Sequence, residues 1–217
     1  MDVVVAGGYG QVARRLLERL AAGGHLARGL IRNPEHAGEL QRLGAEPVLA
    51  DLEREDDLSP HVAGADAVVF AAGAGPGSGP ERKRTVDLGG ALKLIQAARA
   101  QGVRRYVMIS AMGAADPGSG PPAMRPYLEA KAKADAALVA SDLDWTIVRP
   151  GRLTDDPGSG RVAAAPRLRR RGEISRDDTA AVVAAALQAP NTIGLAFEVL
   201  AGETPIAEAI AALRGDG

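Results

Sequence analysis

The chain has no cysteine among its 217 residues. Disulfides and thiolate metal sites are therefore excluded, and a cytoplasmic setting is the expectation. Histidine is scarce: His25, His36 and His61 lie far apart without ligand spacing, so no metal site is expected. No excess charge of one sign is present. With a formal net charge of −1 the chain shows no electrostatic footprint for nucleic acid or an anionic membrane surface. Long hydrophobic runs are absent too, since the longest, Ala180 to Leu187, is too short to span a bilayer. Met1-Asp2 leads straight into an apolar strand pattern, so a signal peptide is not expected. Apolar residues make up 46 %, enough for a substantial core, and the length suits one α/β domain over residues 1–217.

The stretch Val3-Val4-Val5-Ala6-Gly7-Gly8-Tyr9-Gly10-Gln11-Val12-Ala13 organises the rest. Three consecutive β-branched residues read as a buried parallel strand. A glycine cluster then turns the chain, and Val12, Leu16 and Leu20 continue at helical spacing. Strand, glycine turn and helix together fit a dinucleotide fingerprint, either Gly8-x-Gly10-x-x-Ala13 or the wider Gly7-x-x-Gly10-x-x-Ala13. Without a Cβ the backbone turns sharply and lets a pyrophosphate approach, while free N–H groups of the following helix point at the anion. Gly7, Gly8, Tyr9, Gly10, Gln11 and Val12 are thus candidate coenzyme contacts. A strand–helix turn that merely uses glycine is the plain alternative.

The second strand, Leu26 to Ile31, ends in Arg32-Asn33-Pro34. NAD sites usually place an acidic residue there for the ribose 2′-hydroxyl. Arg32 instead presents a planar fork of donors suited to the 2′-phosphate of NADP. A solvated loop arginine, or a ribose contact from Glu35, stays open. The third strand, Glu46 to Ala50, ends at Asp51-Leu52, where such sheets bind ligand. The fourth, Asp66 to Phe70, runs into Ala71-Ala72-Gly73, whose small side chains allow close approach to a coenzyme ribose. Three Pro/Gly/Ser segments, 75–80, 117–122 and 157–160, each follow a strand and are expected to gather around one crevice. Leu88, Leu92, Ile95 and Ala98 predict a long helix from Glu81 to Gln101 facing the sheet.

The fifth strand, Arg105 to Ile109, reaches Ser110-Ala111-Met112. In the helix after it, Tyr127 and Lys131 are four residues apart and share a face. A phenol with a pKa of about 10 is a poor proton shuttle at neutral pH, and a nearby ammonium favours its ionised form. Tyr127 is thus a candidate proton donor to a carbonyl oxygen, with Lys131 tuning it and holding the nicotinamide ribose. A surface pair is the plain alternative.

Gly7-x-x-Gly10-x-x-Ala13, Arg32-Asn33-Pro34, Asp51-Leu52, Ala71-Ala72-Gly73, Tyr127-x-x-x-Lys131 and Trp145-Thr146-Ile147-Val148-Arg149-Pro150-Gly151 occur in this order. In this the chain resembles the atypical short-chain dehydrogenase/reductases, the NAD(P)H-binding group close to NmrA-like and flavin-reductase-like proteins, from Met1 to about Leu200. The resemblance implies a Rossmann fold, NADP (NADPH) as cofactor and often a reductase or an epimerase/dehydratase description. It also implies catalytic roles for Tyr127 and Lys131, and Asp87 in place of the tetrad Asn. Ser110 is the candidate for the hydrogen-bonding Ser, although Ala111 and Met112 stand where related enzymes place their Ser or Thr. Pro150 borders the nicotinamide and the substrate by the same resemblance.

Trp145 reads as a packed core aromatic rather than a stacking platform. The stretch from Asp155 to Gly172 lacks periodicity, and its only charge concentration is Arg167, Arg169, Arg170 and Arg171: a solvated basic loop, or a binding surface for an anionic substrate tail or partner. The reading is one doubly wound Rossmann domain with a mostly parallel sheet, a monomer or homodimer, acting as an NADP-dependent oxidoreductase on a small carbonyl, quinone or flavin-like acceptor. The other class is an NADP(H)-binding sensor with little or no turnover.

Overall fold

Strand and helix alternate along the computed structural model, which describes residues 1–75 and 77–215; Pro76, in the first Pro/Gly/Ser segment, lies outside the described residues. The first half comprises β1 (Asp2–Ala6), α1 (Gln11–Ala22), β2 (Leu26–Ile31), α2 (Ala37–Arg42), β3 (Glu46–Leu49), the single turn α3 (Ser59–Val62) and β4 (Ala67–Phe70). Then come α4 (Pro80–Arg82), a π-helix (Lys83–Gly90), α5 (Ala91–Ala100), β5 (Arg105–Ile109) and α6 (Arg125–Val139). The remainder is β6 (Asp144–Pro150), β7 (Arg152–Thr154), β8 (Arg161–Ala165), β9 (Glu173–Ser175), α7 (Arg176–Gln188), β10 (Leu195–Ala201), β11 (Thr204–Pro205) and α8 (Ile206–Ala211).

Nine strands form one sheet in the order β11-β8-β10-β6-β5-β4-β1-β2-β3, and β7 pairs with β9 in a small separate ribbon. From β3 through β10 every pairing is parallel; β8 lies antiparallel on β10, and β11 antiparallel on β8. The chain runs outward from β1 through β2 to β3, then returns across β1 to β4. The carboxyl ends of β1 and β4 are thus the switch point at which such doubly wound Rossmann sheets bind ligand.

Both faces of the sheet are covered, which is why β1 is an unbroken apolar run. Val3 and Val5 face one core cluster with Leu16, Leu17 and Leu20 of α1 and Val182 and Val183 of α7. Val4 and Ala6 face the other, with Leu94, Ile95 and Ala98 of α5 and Leu138 of α6. Burying each of these leucines contributes about 2 kcal/mol. Among the described residues no helix is long and apolar enough to cross a membrane.

The structure corrects two sequence expectations. The helix anticipated over 81–101 is interrupted: residues 83–90 wind as a π-helix, and the wider turn shifts the phase of the apolar stripe. Val86, Asp87, Ala91, Leu94, Ile95 and Ala98 are buried as a result, while Leu92 is exposed. The stretch from Asp155 to Gly172 contains β8, whose sequence RVAAA offers one β-branched residue and no alternation to read.

Candidate functional site

The glycine turn after β1 is built by packing as much as by ligand access. Gly7 adopts φ +79°, and a β-carbon there would lie 2.7 Å from the Ala72 backbone. A β-carbon at Gly8 would meet Gly29 of β2 at 2.9 Å, so both glycines let the turn seat on its neighbouring strands. Gly10 caps α1 without a side-chain hydrogen bond, and the first turn holds no acidic residue. Among the described residues the first-turn N–H groups of Gln11, Val12 and Ala13 meet no acceptor, the donor set a pyrophosphate needs. Val12 is itself buried in the core, and Gln11 is exposed. Tyr9 stacks on His36 at a centroid distance of 3.4 Å, with the Arg14 guanidinium 5.0 Å from its ring. That stack links the glycine turn to the loop after β2.

Beyond that loop a cleft of about 540 Å³ is lined by Arg32, Asn33, Pro34, Asp51, Glu53 and Arg54. Arg32 and Asp51 thus line one cleft. Their partners differ from the expectation. Asp51 accepts the Glu53 N–H at 2.9 Å, a tight local turn. Arg32 lies 3.4 Å from the Glu53 carboxylate, which also accepts from Arg82 and Thr85 at 2.8 Å each. These contacts, Arg82 first, hold the Glu53 carboxyl below its ordinary range. Leu52 packs on the second core cluster beside Gly90.

Across the switch point, Tyr127, Lys131 and Asp135 follow one another at four-residue steps and form one polar stripe on α6. Lys131 is 3 % exposed and lies 3.4 Å from Asp87 on the π-helix, whose carboxylate is fully buried. The ammonium also donates to the Ile109 carbonyl at 3.2 Å and faces that of Ala72 at 3.4 Å, at the ends of β5 and β4. Asp87 accepts the Ala74 N–H at 3.0 Å, just past the exposed Gly73. Ala72, Gly73, Asp87 and Lys131 therefore lie together at this edge of the sheet. Pro150 closes β6 at the same edge, its carbonyl accepting from Met112.

One expectation about this group is reversed. Lys131 does not drive Tyr127 towards its ionised form, because Asp87 neutralises it. Burial, then the charges of Asp87 and Asp135, raise the Tyr127 pKa above the ordinary phenol value. The ring rests between two ammonium groups, Lys83 at 5.3 Å and Lys131 at 5.9 Å from its centroid. Ser110 is 3 % exposed, faces Asp135, and its hydroxyl has no hydrogen-bond partner among the described residues.

Sequence reasoning missed Asp135 and Arg149, which form a buried ion pair at 3.0 Å between α6 and β6. The available signal was a third polar step, after Tyr127 and Lys131, at the same four-residue spacing. Burial raises the Asp135 pKa, with Arg149 opposing it. The three Pro/Gly/Ser segments do not all converge either. The first lies beside Tyr127 through Lys83, which donates to Gly75 O at 2.8 Å, and the second leads into α6. The third is drawn instead onto the start of α7. Asp178, buried there, accepts the N–H groups of Ser159 and Gly160.

A family model described as NAD(P)H-binding matches residues 7–190 of this chain. A protein of Bacillus subtilis (strain 168), described as an uncharacterised sugar epimerase, is 42 % identical over 212 residues, which is 97 % of this chain and 99 % of that protein. A solved structure from Bacillus halodurans, provisionally described as an NAD-dependent epimerase/dehydratase, superposes with a TM-score of 0.93 at 45 % identity, covering 97 % and 98 % of the two chains. An oxidoreductase of Lactococcus lactis superposes with a TM-score of 0.88 at 26 % identity, covering 97 % and 95 %.

Proposed function

The chain belongs to the NAD(P)H-binding family of atypical short-chain dehydrogenase/reductases, and from that premise we propose an NADP-dependent reductase in which Tyr127 is the proton donor. The acceptor is a small carbonyl, quinone or flavin-like molecule, and residues 1–217 serve as one domain for coenzyme and substrate. The observation that carries this reading is geometric: Tyr127 stands beside the buried Lys131–Asp87 pair, whose charged groups are 3.4 Å apart, at the sheet edge where family members bind their coenzyme. A protonated phenol can supply the proton that a reduction consumes.

The N–H groups at the start of α1 hold the coenzyme pyrophosphate, Arg32 holds the 2′-phosphate, and Ala71 to Gly73 leave room for the ribose. When bound, the coenzyme supplies the hydride. Tyr127 gives its proton to the acceptor atom that gains negative charge, then recovers one from solvent. Lys131, fixed by Asp87, positions the ribose and Tyr127 without imposing a net charge on the phenol.

The sensor reading is favoured by one observation: Ser110 is 3 % exposed and followed by Ala111 and Met112, so this segment presents no exposed hydroxyl to an acceptor in the crevice. NADPH consumption against a panel of quinones, flavins and aldehydes separates the two. The reductase reading expects turnover, its loss in Tyr127→Phe, and unchanged NADPH affinity in that variant. NADPH binding with no oxidation by any acceptor would leave the sensor.

A further inference from the structure

We infer that the loop 167–171 is an anion site for the acceptor: the substrate carries a phosphate or comparable anionic group, held by Arg169 and Arg170 at the rim of the crevice. The inference rests on reading that crevice as the substrate side. Arg167, Arg169, Arg170 and Arg171 are all exposed, and among the described residues none of them forms an ion pair. Two carboxylates near the loop have other partners. Glu198 accepts the Leu168 N–H at 2.8 Å, and Glu173 is paired with Arg152. The four guanidinium groups are thus available to an external anion.

Backbone geometry adds a second observation. Arg169 is the one non-glycine among the described residues with a positive φ, 52°. A long side chain in that region is strained, and strain of this kind concentrates where a loop is held in shape for a ligand. The loop is anchored at its end rather than trailing in solvent. Arg171 donates to the Ser119 carbonyl at 3.3 Å, and Gly172 accepts the Arg152 N–H at 3.0 Å.

Those anchors place it. Ser119 belongs to the segment that leads into α6, where a β-carbon on Gly120 would lie 2.7 Å from Leu128, the neighbour of Tyr127. Gly172 sits against Gly151 and Leu200, at the carboxyl ends of β6 and β10. The loop therefore borders the Tyr127 side of the switch point, opposite the Arg32 cleft. Arg125 adds a cation at the first position of α6, where the helix dipole disfavours one and no acidic residue stands in the first turn.

FMN and riboflavin share one ring system and differ by a phosphate, which makes them the probe pair. Their binding is read by flavin fluorescence anisotropy at 50 mM and 500 mM salt, with NADP+ at saturation and without it. The inference expects FMN to bind about tenfold tighter than riboflavin at low salt, with the advantage shrinking at high salt. In R169Q/R170Q the advantage disappears, while riboflavin affinity, melting temperature and the NADPH-induced thermal shift are unchanged. Equal affinities, no FMN binding at low salt, or a preference that survives the double substitution would overturn it. Failure of NADPH to bind would instead sink the reductase reading, and the flavin comparison without coenzyme would still decide this one, because binding at the glycine turn does not respond to Arg169 and Arg170.

Discussion

Asp135 is 3 % exposed, and Arg149, at 3.0 Å, is its main counter-charge, with Lys131 a lesser one. Removing the arginine leaves the buried charge poorly compensated, so Arg149→Leu should cost about 3–5 kcal/mol, read as a lowered midpoint in urea. Asp135→Asn keeps an acceptor for Arg149 and removes the charge. The sign follows from the direction of the shift. A carboxyl with a raised folded-state pKa contributes its full stability below the ordinary value and loses it as pH rises through the raised one. The variant should therefore gain on the native protein as pH climbs from about 4 towards 7, visible in paired melting temperatures. A constant difference across that range would mean that Asp135 is not perturbed. The same substitution removes one of the two carboxylates acting on Tyr127, so phenol ionisation followed in the ultraviolet should move down towards pH 10. Spacing made Tyr127 and Lys131 legible in the sequence. It left Asp135 and Arg149 unread because their pairing depends on which face of β6 meets α6, a tertiary fact.

Among the elements, the strands of the parallel half were legible because their apolar runs follow from burial on both faces. The π-helix was not: sequence periodicity does not register one inserted residue per turn, yet that turn is what carries Asp87 to Lys131. Nor was β8, an alanine-rich edge strand defined by its pairing with β10. The join between β5 and α7 is equally tertiary. Arg105 opens β5 and donates to the carbonyls of Ala186 and Leu187, the last turn of α7, and to Asp144 and Thr146 of β6. It acts as a cation at a helix C-terminus, satisfying carbonyls that have no helical partner. Arg105→Leu should lower stability by about 2–4 kcal/mol and leave NADPH affinity within twofold, since the site lies at the opposite end of the strands. Hydrogen exchange would localise the loss: earlier opening at residues 183–188 supports the assignment, and uniform loosening of the whole sheet contradicts it.

On the scale of the molecule, the two halves of the candidate site are held by separate charge networks on one sheet edge. Arg32, Glu53 and Arg82 stand beyond β2 and β3, whereas Asp87, Lys131, Asp135 and Arg149 stand beyond β4 to β6. Neither network shares a residue with the other, so coenzyme choice and proton transfer should be separable by mutation. A ligand that binds only the folded state raises stability by RT ln(1 + [L]/Kd), about 2.7 kcal/mol at one hundred times Kd, so thermal shifts read coenzyme affinity directly. Arg32→Ala should cut the NADPH shift by the equivalent of about tenfold in Kd and leave the NADH shift nearly intact. Glu53→Gln should act in the opposite direction. With its carboxylate neutralised, Arg32 is no longer drawn to an internal partner 3.4 Å away and is available to an external phosphate. The pair is mostly exposed on the arginine side, so the gain is at most about fivefold. Tyr127→Phe should change neither shift while abolishing NADPH oxidation. If Arg32→Ala weakens both coenzymes equally, the cleft beside β2 holds the ribose without reading its phosphate, and the preference for NADP has no basis in this residue.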